Sequence, residues 1–185
     1  MSSASSDIRV ALIGYGLGGA SFHAPLIACT AGMRLVTVVT SNPARREQAT
    51  REHPQARVAD SAQFIWDHAQ EHDLVVVTTS NDAHVPLALA ALSAGLPAVV
   101  DKPFAVRAEE ARRLIEEARR RNLLVVPYHN RRWDGELLTV RRLLAEGAFG
   151  DVLRFESRLE RWRPELKGGW REWATPEVAG GLLYD

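Results

Sequence analysis

Five apolar runs constrain what this chain can fold into: Arg9–Ile13, Leu35–Thr40, Leu74–Thr79, Ala98–Asp101 and Leu123–Tyr128. They are rich in β-branched residues and continuous rather than alternating. A strand with one wet face alternates, whereas one covered on both faces is apolar throughout. Helix-like segments lie between the runs, near 17–31, 43–53, 61–71, 83–94 and 107–121. In the last of these, Ala108, Ala111, Leu114, Ile115 and Ala118 recur at helical spacing, and Glu109, Glu110, Arg112, Arg113, Glu116 and Glu117 cover the opposite face. Strand–helix alternation of this kind predicts a parallel sheet wrapped by helices, an α/β fold.

The pattern changes after Tyr128. A helix is expected over Asp134–Glu146, ended by Gly147. Val152–Glu160 alternates, with Leu153, Phe155 and Leu159 on one side and Arg154, Glu156, Arg158 and Glu160 on the other, as a half-solvated antiparallel strand would. Arg161–Asp185 reads as loop, with four Gly, two Pro and three Trp, the tryptophans packing the second domain. One alternating strand cannot bury its apolar face alone. Residues 129–185 are therefore read as the incomplete start of an α+β domain, 8–128 as the α/β domain and 1–7 as a polar tail. An uncovered face of that kind predicts either poor solubility or self-association through it.

Composition narrows the function classes. The chain has 185 residues, 46% hydrophobic and 25% charged, enough for one complete domain and part of another. Its 23 basic residues match 23 acidic ones, so no global field draws it to nucleic acid or anionic lipid, and it carries no DNA-reading motif. The single cysteine, Cys29, forbids an internal disulfide and cannot anchor a metal by itself. Beside Ile27 and Ala28 it is expected to be a buried thiol. The stretch Met1–Asp7 is Ser-rich and polar, with no basic region followed by an apolar one, and no apolar run reaches about eighteen residues. The expectation is a soluble, cytoplasmic protein with no metal site, no nucleic-acid partner and no membrane partner.

Gly14-Tyr15-Gly16-Leu17-Gly18-Gly19 fits G-x-G-x-x-G between the first run and the first helix. In that context each glycine has a mechanical role: Gly14 for a tight turn, Gly16 for close approach of a pyrophosphate, Gly19 for helix–strand packing. The helix start that follows offers unpaired N–H groups and a positive dipole to phosphate. This makes the first domain a Rossmann-type doubly wound parallel sheet, with Gly14, Gly16, Leu17 and Gly19 as cofactor contacts. An NAD site wants Asp or Glu about 20 residues on, to hold the ribose 2′-hydroxyl. Here the chain reads Thr40-Ser41-Asn42-Pro43-Ala44-Arg45-Arg46, with no carboxylate before Glu47. Ser41, Arg45 and Arg46 suit a 2′-phosphate instead, because guanidinium pairs with phosphate in a fork. NADP is the expected cofactor and NAD the alternative; both arginines could equally be solvated on the first turn of a helix.

Three further stretches complete the pattern. Thr78-Thr79-Ser80-Asn81-Asp82-Ala83-His84 closes the Leu74 run, Asp101-Lys102-Pro103 closes the Ala98 run, and Ala179-Gly180-Gly181-Leu182-Leu183-Tyr184-Asp185 comes last. With the glycine loop they resemble the glucose–fructose oxidoreductase/inositol dehydrogenase/MocA family of NAD(P)-dependent oxidoreductases, from Ile8 to Asp185. All four motifs stand in the family's order and at its usual separations. Gly16–Leu26 (GLGGASFHAPL), His129–Trp133 (HNRRW) and Arg161-Trp162-Arg163-Pro164 further resemble the branch containing NADP-dependent scyllo-inositol dehydrogenases.

The resemblance implies hydride transfer between NADP(H) and a secondary alcohol or ketone of a small polyol, sugar or cyclitol. It places Lys102 beside the nicotinamide and the reacting carbinol as acid/base, with Asp101 where the family more usually has Glu. A lysine desolvated there, near a cationic ring, would have a lowered pKa. Pro103 would fix the loop. Thr79, Ser80, Asn81, His84, Asp101, Lys102 and Pro103 would line the cofactor crevice, joined by Asn130 and Arg131 after the last strand. Asp185 matches the family's aspartate that orients substrate and assists a catalytic histidine expected a few residues further on. The remaining pocket and the interface of a homo-oligomer are expected beyond Asp185 as well. Blander readings stand beside these: a surface lysine at 102, helix N-capping by Asn81 and Asp82, packed or surface histidines at 23 and 84, and a solvated basic cluster at 130–132. A non-catalytic NADP(H)-binding sensor is the alternative function.

Overall fold

A computed structural model describes residues 7–160 together with 162, 164, 165, 168, 175 and 179–181. The described residues fall into two compact units: those up to Tyr128 together with those after Gly168, and His129–Gly168.

The first unit is a six-stranded sheet in the order β3-β2-β1-β4-β5-β6. Its strands are β1 Ile8–Ile13, β2 Met33–Val39, β3 Arg57–Ala59, β4 Leu74–Val77, β5 Ala98–Asp101 and β6 Val125–Tyr128. Every pairing is parallel. This is the doubly wound order that reverses between β1 and β4, so its crevice opens beyond the carboxyl ends of those two strands. The apolar runs are continuous because successive side chains feed opposite cores. Val10, Leu12, Val38 and Val76 pack with Tyr15, Ala24, Ile27 and Ala49 on one face. Ala11, Ile13, Val75, Val77 and Val100 pack with Ile65, Ala88, Leu92, Leu114 and Ala118 on the other.

The helices of this unit are α1 Ala24–Cys29, α2 Pro43–Glu52, α3 Gln63–Asp67, α4 His84–Ser93 and α5 Ala108–Arg121. A π-helical stretch, Gly19–His23, precedes α1, and a 3₁₀ turn, Asn81–Ala83, precedes α4. The Asn42 side chain caps α2 by accepting the Arg45 N–H at 3.1 Å, with Pro43 in the first helical position. α5 ends on Asn122 at φ +54, a conformation that asparagine tolerates.

Four expectations need amendment. β3 has no counterpart among the five apolar runs, because it is three residues long and partly exposed. Cys29 is exposed: α1 buries Ala24 and Ile27, and a residue two positions after Ile27 points the other way on a helix. Val152–Glu160 forms no strand, and Leu153 on its apolar side is 96% exposed. Trp162 is 91% exposed among the described residues rather than packed, whereas Trp170 and Trp173 lie outside the described residues.

The second unit holds a 3₁₀ turn, Asn130–Trp133, and α6, Gly135–Ala145, with Gly147 following at φ +71. An open apolar groove of about 580 Å³ runs between α6 and residues 149–155. No helix among the described residues is long and apolar enough to cross a membrane. No group of His, Cys, Asp and Glu among them could hold a metal ion.

Candidate active site

The glycine loop leaves β1 and folds against the ends of β4 and β5. Gly14 sits at φ +101, and a Cβ there would lie 2.3 Å from the Thr78 carbonyl oxygen. A Cβ on Gly19 would lie 2.1 Å from the carbonyl oxygen of Gly14. On Gly18 it would meet the Thr78 hydroxyl at 2.7 Å and the Asp101 carboxylate at 3.2 Å. These three glycines are required by the protein's own packing. Gly16 differs, because the nearest described atoms to a Cβ there belong to the Arg45 guanidinium, at 3.5–4.0 Å. Its missing side chain leaves room at the mouth of the crevice, as a closely approaching pyrophosphate would need. The Ala20 N–H donates to the Gly16 carbonyl at 2.9 Å, the first bond of the helix, so the preceding amides have no intrahelical acceptor.

Arg45 and Arg46 part company on the first turn of α2. Arg45 reaches back over Gly16, whereas Arg46 lies 4.0 Å from Asp60. Ser41 is exposed just before this turn, and Leu17 is 69% exposed on the loop.

Past β4 the chain dips into the interior. Thr79 and Ser80 are half-buried, while Asn81 and His84 are buried. Neither Asn81 nor Asp82 caps the helix by its side chain. Instead the Asn81 carboxamide donates to the Ala179 carbonyl at 2.8 Å. His84 Nδ1 lies 2.8 Å from the Pro103 carbonyl, and its Nε2 has no partner among the described residues.

At the end of β5, Asp101 Oδ1 accepts the Lys102 N–H at 2.7 Å. Its Oδ2 accepts a long 3.4 Å bond from the Thr78 hydroxyl and faces His23 Nε2 at 3.7 Å. Burial pushes the Asp101 pKa up, but the His23 imidazole and the Lys102 amide outweigh it, and the net shift is downward. His23 is buried under Tyr128, ring centroids 4.1 Å apart. Burial and the Asp101 charge both push the Tyr128 phenol up. Lys102 follows, joined to Pro103 by a cis peptide bond. Lys102 is exposed, so the desolvation expected of it does not come from the described residues.

The structure thus brings together Gly14, Gly16, Gly19, Arg45, Thr79, Ser80, Asn81, His84, Asp101, Lys102 and Pro103 in the first unit. Asn130 and Arg131 belong to the second unit, where Arg131 pairs with Asp134 at 3.0 Å. Asp185 lies outside the described residues. Sequence reasoning assigned no site role to Thr78 or Tyr128. Thr78 stood inside a quoted motif, but Tyr128 gave no local signal.

A strand-order reversal, a glycine turn with one open position and polar residues gathered at the same end define a dinucleotide-binding domain. Comparison makes the assignment specific. The chain belongs to the Gfo/Idh/MocA family, described as an oxidoreductase family with an NAD-binding Rossmann fold, whose profile matches residues 8–129. It is 42% identical over 181 residues to the uncharacterized oxidoreductase YdgJ of Escherichia coli, covering 98% of this chain and 51% of that protein. It is 37% identical over 179 residues to IolW of Bacillus subtilis, a scyllo-inositol 2-dehydrogenase (NADP(+)), covering 96% and 48%. The solved structure of the oxidoreductase yvaA from Bacillus subtilis superposes with a TM-score of 0.88 at 33% identity, covering 99% of this chain and 51% of the other. The chain spans about half the length of the curated relatives it matches.

Proposed function

We propose that this chain carries the cofactor-binding part of an NADP(H)-dependent oxidoreductase acting on a secondary alcohol or ketone of a sugar or cyclitol. One observation carries the reading: the only loop glycine not needed by the protein's own packing lies open beneath Arg45, at the end of the sheet where β5 delivers Lys102. The relative IolW, named as an NADP(+)-dependent cyclitol dehydrogenase, supports both the cofactor and the substrate class.

When bound, the nicotinamide supplies a C4 position that accepts or returns the carbinol hydride. The chain's own residues do the rest. Gly16 leaves space for the pyrophosphate, with Gly14, Leu17 and Gly19 shaping the turn around it. The amides opening the helix bind phosphate oxygens. Ser41 and Arg45 hold the 2′-phosphate, where a carboxylate would repel it, whereas Arg46, expected to share that task, lies toward Asp60. Thr79, Ser80, Asn81, His84 and Pro103 form the wall of the crevice, and Asn130 and Arg131 are further cofactor contacts in this reading. Lys102 Nζ takes the hydroxyl proton as the alcohol is oxidised and returns it on reduction. Asp101 holds the Lys102 amide, and Asp185 orients the substrate. In the complete protein we expect a homo-oligomer.

Two variants of the complete protein test this. Lys102→Ala should abolish turnover while leaving NADPH affinity unchanged; wild-type turnover would remove the lysine from the chemistry. Arg45→Ala should weaken NADPH binding by about 10–100-fold, the worth of a charge-assisted hydrogen bond, with little effect on NADH. Equal weakening of both cofactors would assign Arg45 to the pyrophosphate and withdraw the preference for NADP.

A further inference from the structure

Lys102 is exposed, yet the backbone on either side of it is fastened, by the half-buried Asp101 and the buried His84. On one side Asp101 Oδ1 accepts its N–H at 2.7 Å. On the other, His84 Nδ1 lies 2.8 Å from the carbonyl of the next residue, Pro103. A carbonyl can only accept, so Nδ1 carries the hydrogen and the imidazole is the Nδ1–H tautomer. His84 is 1% exposed, and its Nε2 makes no hydrogen bond to any described residue. Among the described residues the ring makes this one hydrogen bond. Three residues earlier, on the same turn, Asn81 is also buried and donates to the Ala179 carbonyl at 2.8 Å. Ala179 itself is held at φ +49, and the segment it opens leads to Asp185.

We propose that the Asn81–His84 turn is a positioning element that fastens two functional segments to one rigid point: His84 holds the Lys102–Pro103 junction, and Asn81 holds the Ala179–Gly181 segment. The proposal rests on the role assigned above to Lys102. It gives two residues first expected as cofactor contacts a second task, acting through the groups they anchor. A long, flexible lysine reaches a reacting oxygen reproducibly only if its Cα is fixed, and a displacement of about 1 Å can cost about 100-fold in rate.

The test separates positioning from cofactor binding in the complete protein. His84→Leu should lower kcat by about 10–100-fold, well beyond any change in KM or Kd for NADPH. His84→Asn places a carboxamide N–H near the same carbonyl and should recover most of that loss. Asn81→Asp, which exchanges the donor for an acceptor, should lower kcat like His84→Leu. Unchanged kcat in His84→Leu, or a raised NADPH Kd with kcat intact, would overturn the proposal. A second readout needs no turnover: ¹⁵N shifts of the His84 ring should show a protonated Nδ1 and a bare Nε2, and the opposite tautomer would overturn it. This readout also decides the matter if His84→Leu does not fold. Lys102→Ala with normal turnover would sink the functional reading instead, while the tautomer still judges whether His84 holds Pro103.

Discussion

The loop glycines do different jobs, and two single substitutions should separate them. In Gly19→Ala the new Cβ would start 2.1 Å from the Gly14 carbonyl oxygen and 3.2 Å from the Thr78 methyl. Reaching even 3.0 Å, a separation real Cβ atoms essentially never undercut, requires the oxygen to retreat by about 0.9 Å. That oxygen is backbone, and it belongs to a residue already fixed at φ +101. Overpacking typically costs about 1–3 kcal/mol, and with backbone as the obstacle the upper end applies, about 3 kcal/mol. At a urea m-value of about 2 kcal/mol/M, the midpoint should fall by about 1.5 M. In Gly16→Ala the neighbours are the flexible tip of Arg45, in ordinary contact, and the backbone is not in the left-handed region. Stability should hold or rise by a few tenths of a kcal/mol, because the unfolded chain loses freedom, while NADPH affinity should collapse. Urea denaturation and NADPH fluorescence titration read the two effects independently. A Gly16→Ala protein that binds NADPH like wild type, or that loses as much stability as Gly19→Ala, would refute the division.

Gly18→Ala meets a side chain, the Thr78 hydroxyl at 2.7 Å, so its stability loss should be largely recovered in the Gly18→Ala/Thr78→Ala double variant. Thr78→Ala should give Gly19→Ala no comparable relief, and a double-mutant cycle in urea distinguishes the two cases. His72 is buried between the Thr37 hydroxyl, 2.8 Å from Nε2, and the His68 carbonyl, 3.0 Å from Nδ1, and burial holds its pKa below the ordinary 6.5 in spite of the His68 bond. The folded state therefore keeps His72 neutral where the unfolded chain takes up a proton, so its contribution is complete above pH 6.5 and declines as pH falls below that toward the depressed value. The urea midpoint should drop between about pH 7 and pH 5.5, and drop less in His72→Gln; identical pH profiles would exclude His72 as the source.

The parts of this molecule legible in its sequence are those with a local mechanical cause. β1, β2, β4 and β5 are marked by apolar runs because both faces of the sheet are covered there, whereas the edge strand β6 is apolar in sequence although Val126 is 45% exposed. The glycine loop was legible because Gly14 and Gly19 have no room for a Cβ. What escaped depends on distant partners. Helix capping stands as the bland alternative for Asn81 because its neighbours in sequence suit a cap, but its acceptor lies 98 residues away. Cys29 read as buried because the residues beside it are apolar, although helical spacing turns it outward. The alternation over Val152–Glu160 is necessary for a half-buried strand but supplies no partner edge. Arg45 and Arg46 are adjacent and chemically equivalent in sequence, and only the turn of α2 sends one over Gly16 and the other toward Asp60.

A glycine-rich loop before a helix is ordinarily explained by the ligand it cradles, but here most of the requirement is internal and converges on Thr78. Its carbonyl oxygen forbids a Cβ on Gly14, its hydroxyl forbids one on Gly18, and its methyl crowds one on Gly19. The same hydroxyl reaches the Asp101 carboxylate, and Asp101 in turn holds the Lys102 amide. Thr78 directly follows β4, the strand next to β1 across the reversal in strand order. One residue at that point therefore ties the phosphate loop to the lysine segment. Of the four loop glycines, only Gly16 is left for a ligand to explain. A match to the glycine motif is thus mainly a statement about how β1 and β4 pack, and evidence for the cofactor rests on what surrounds Gly16 and on which groups the β4 and β5 ends present beside it.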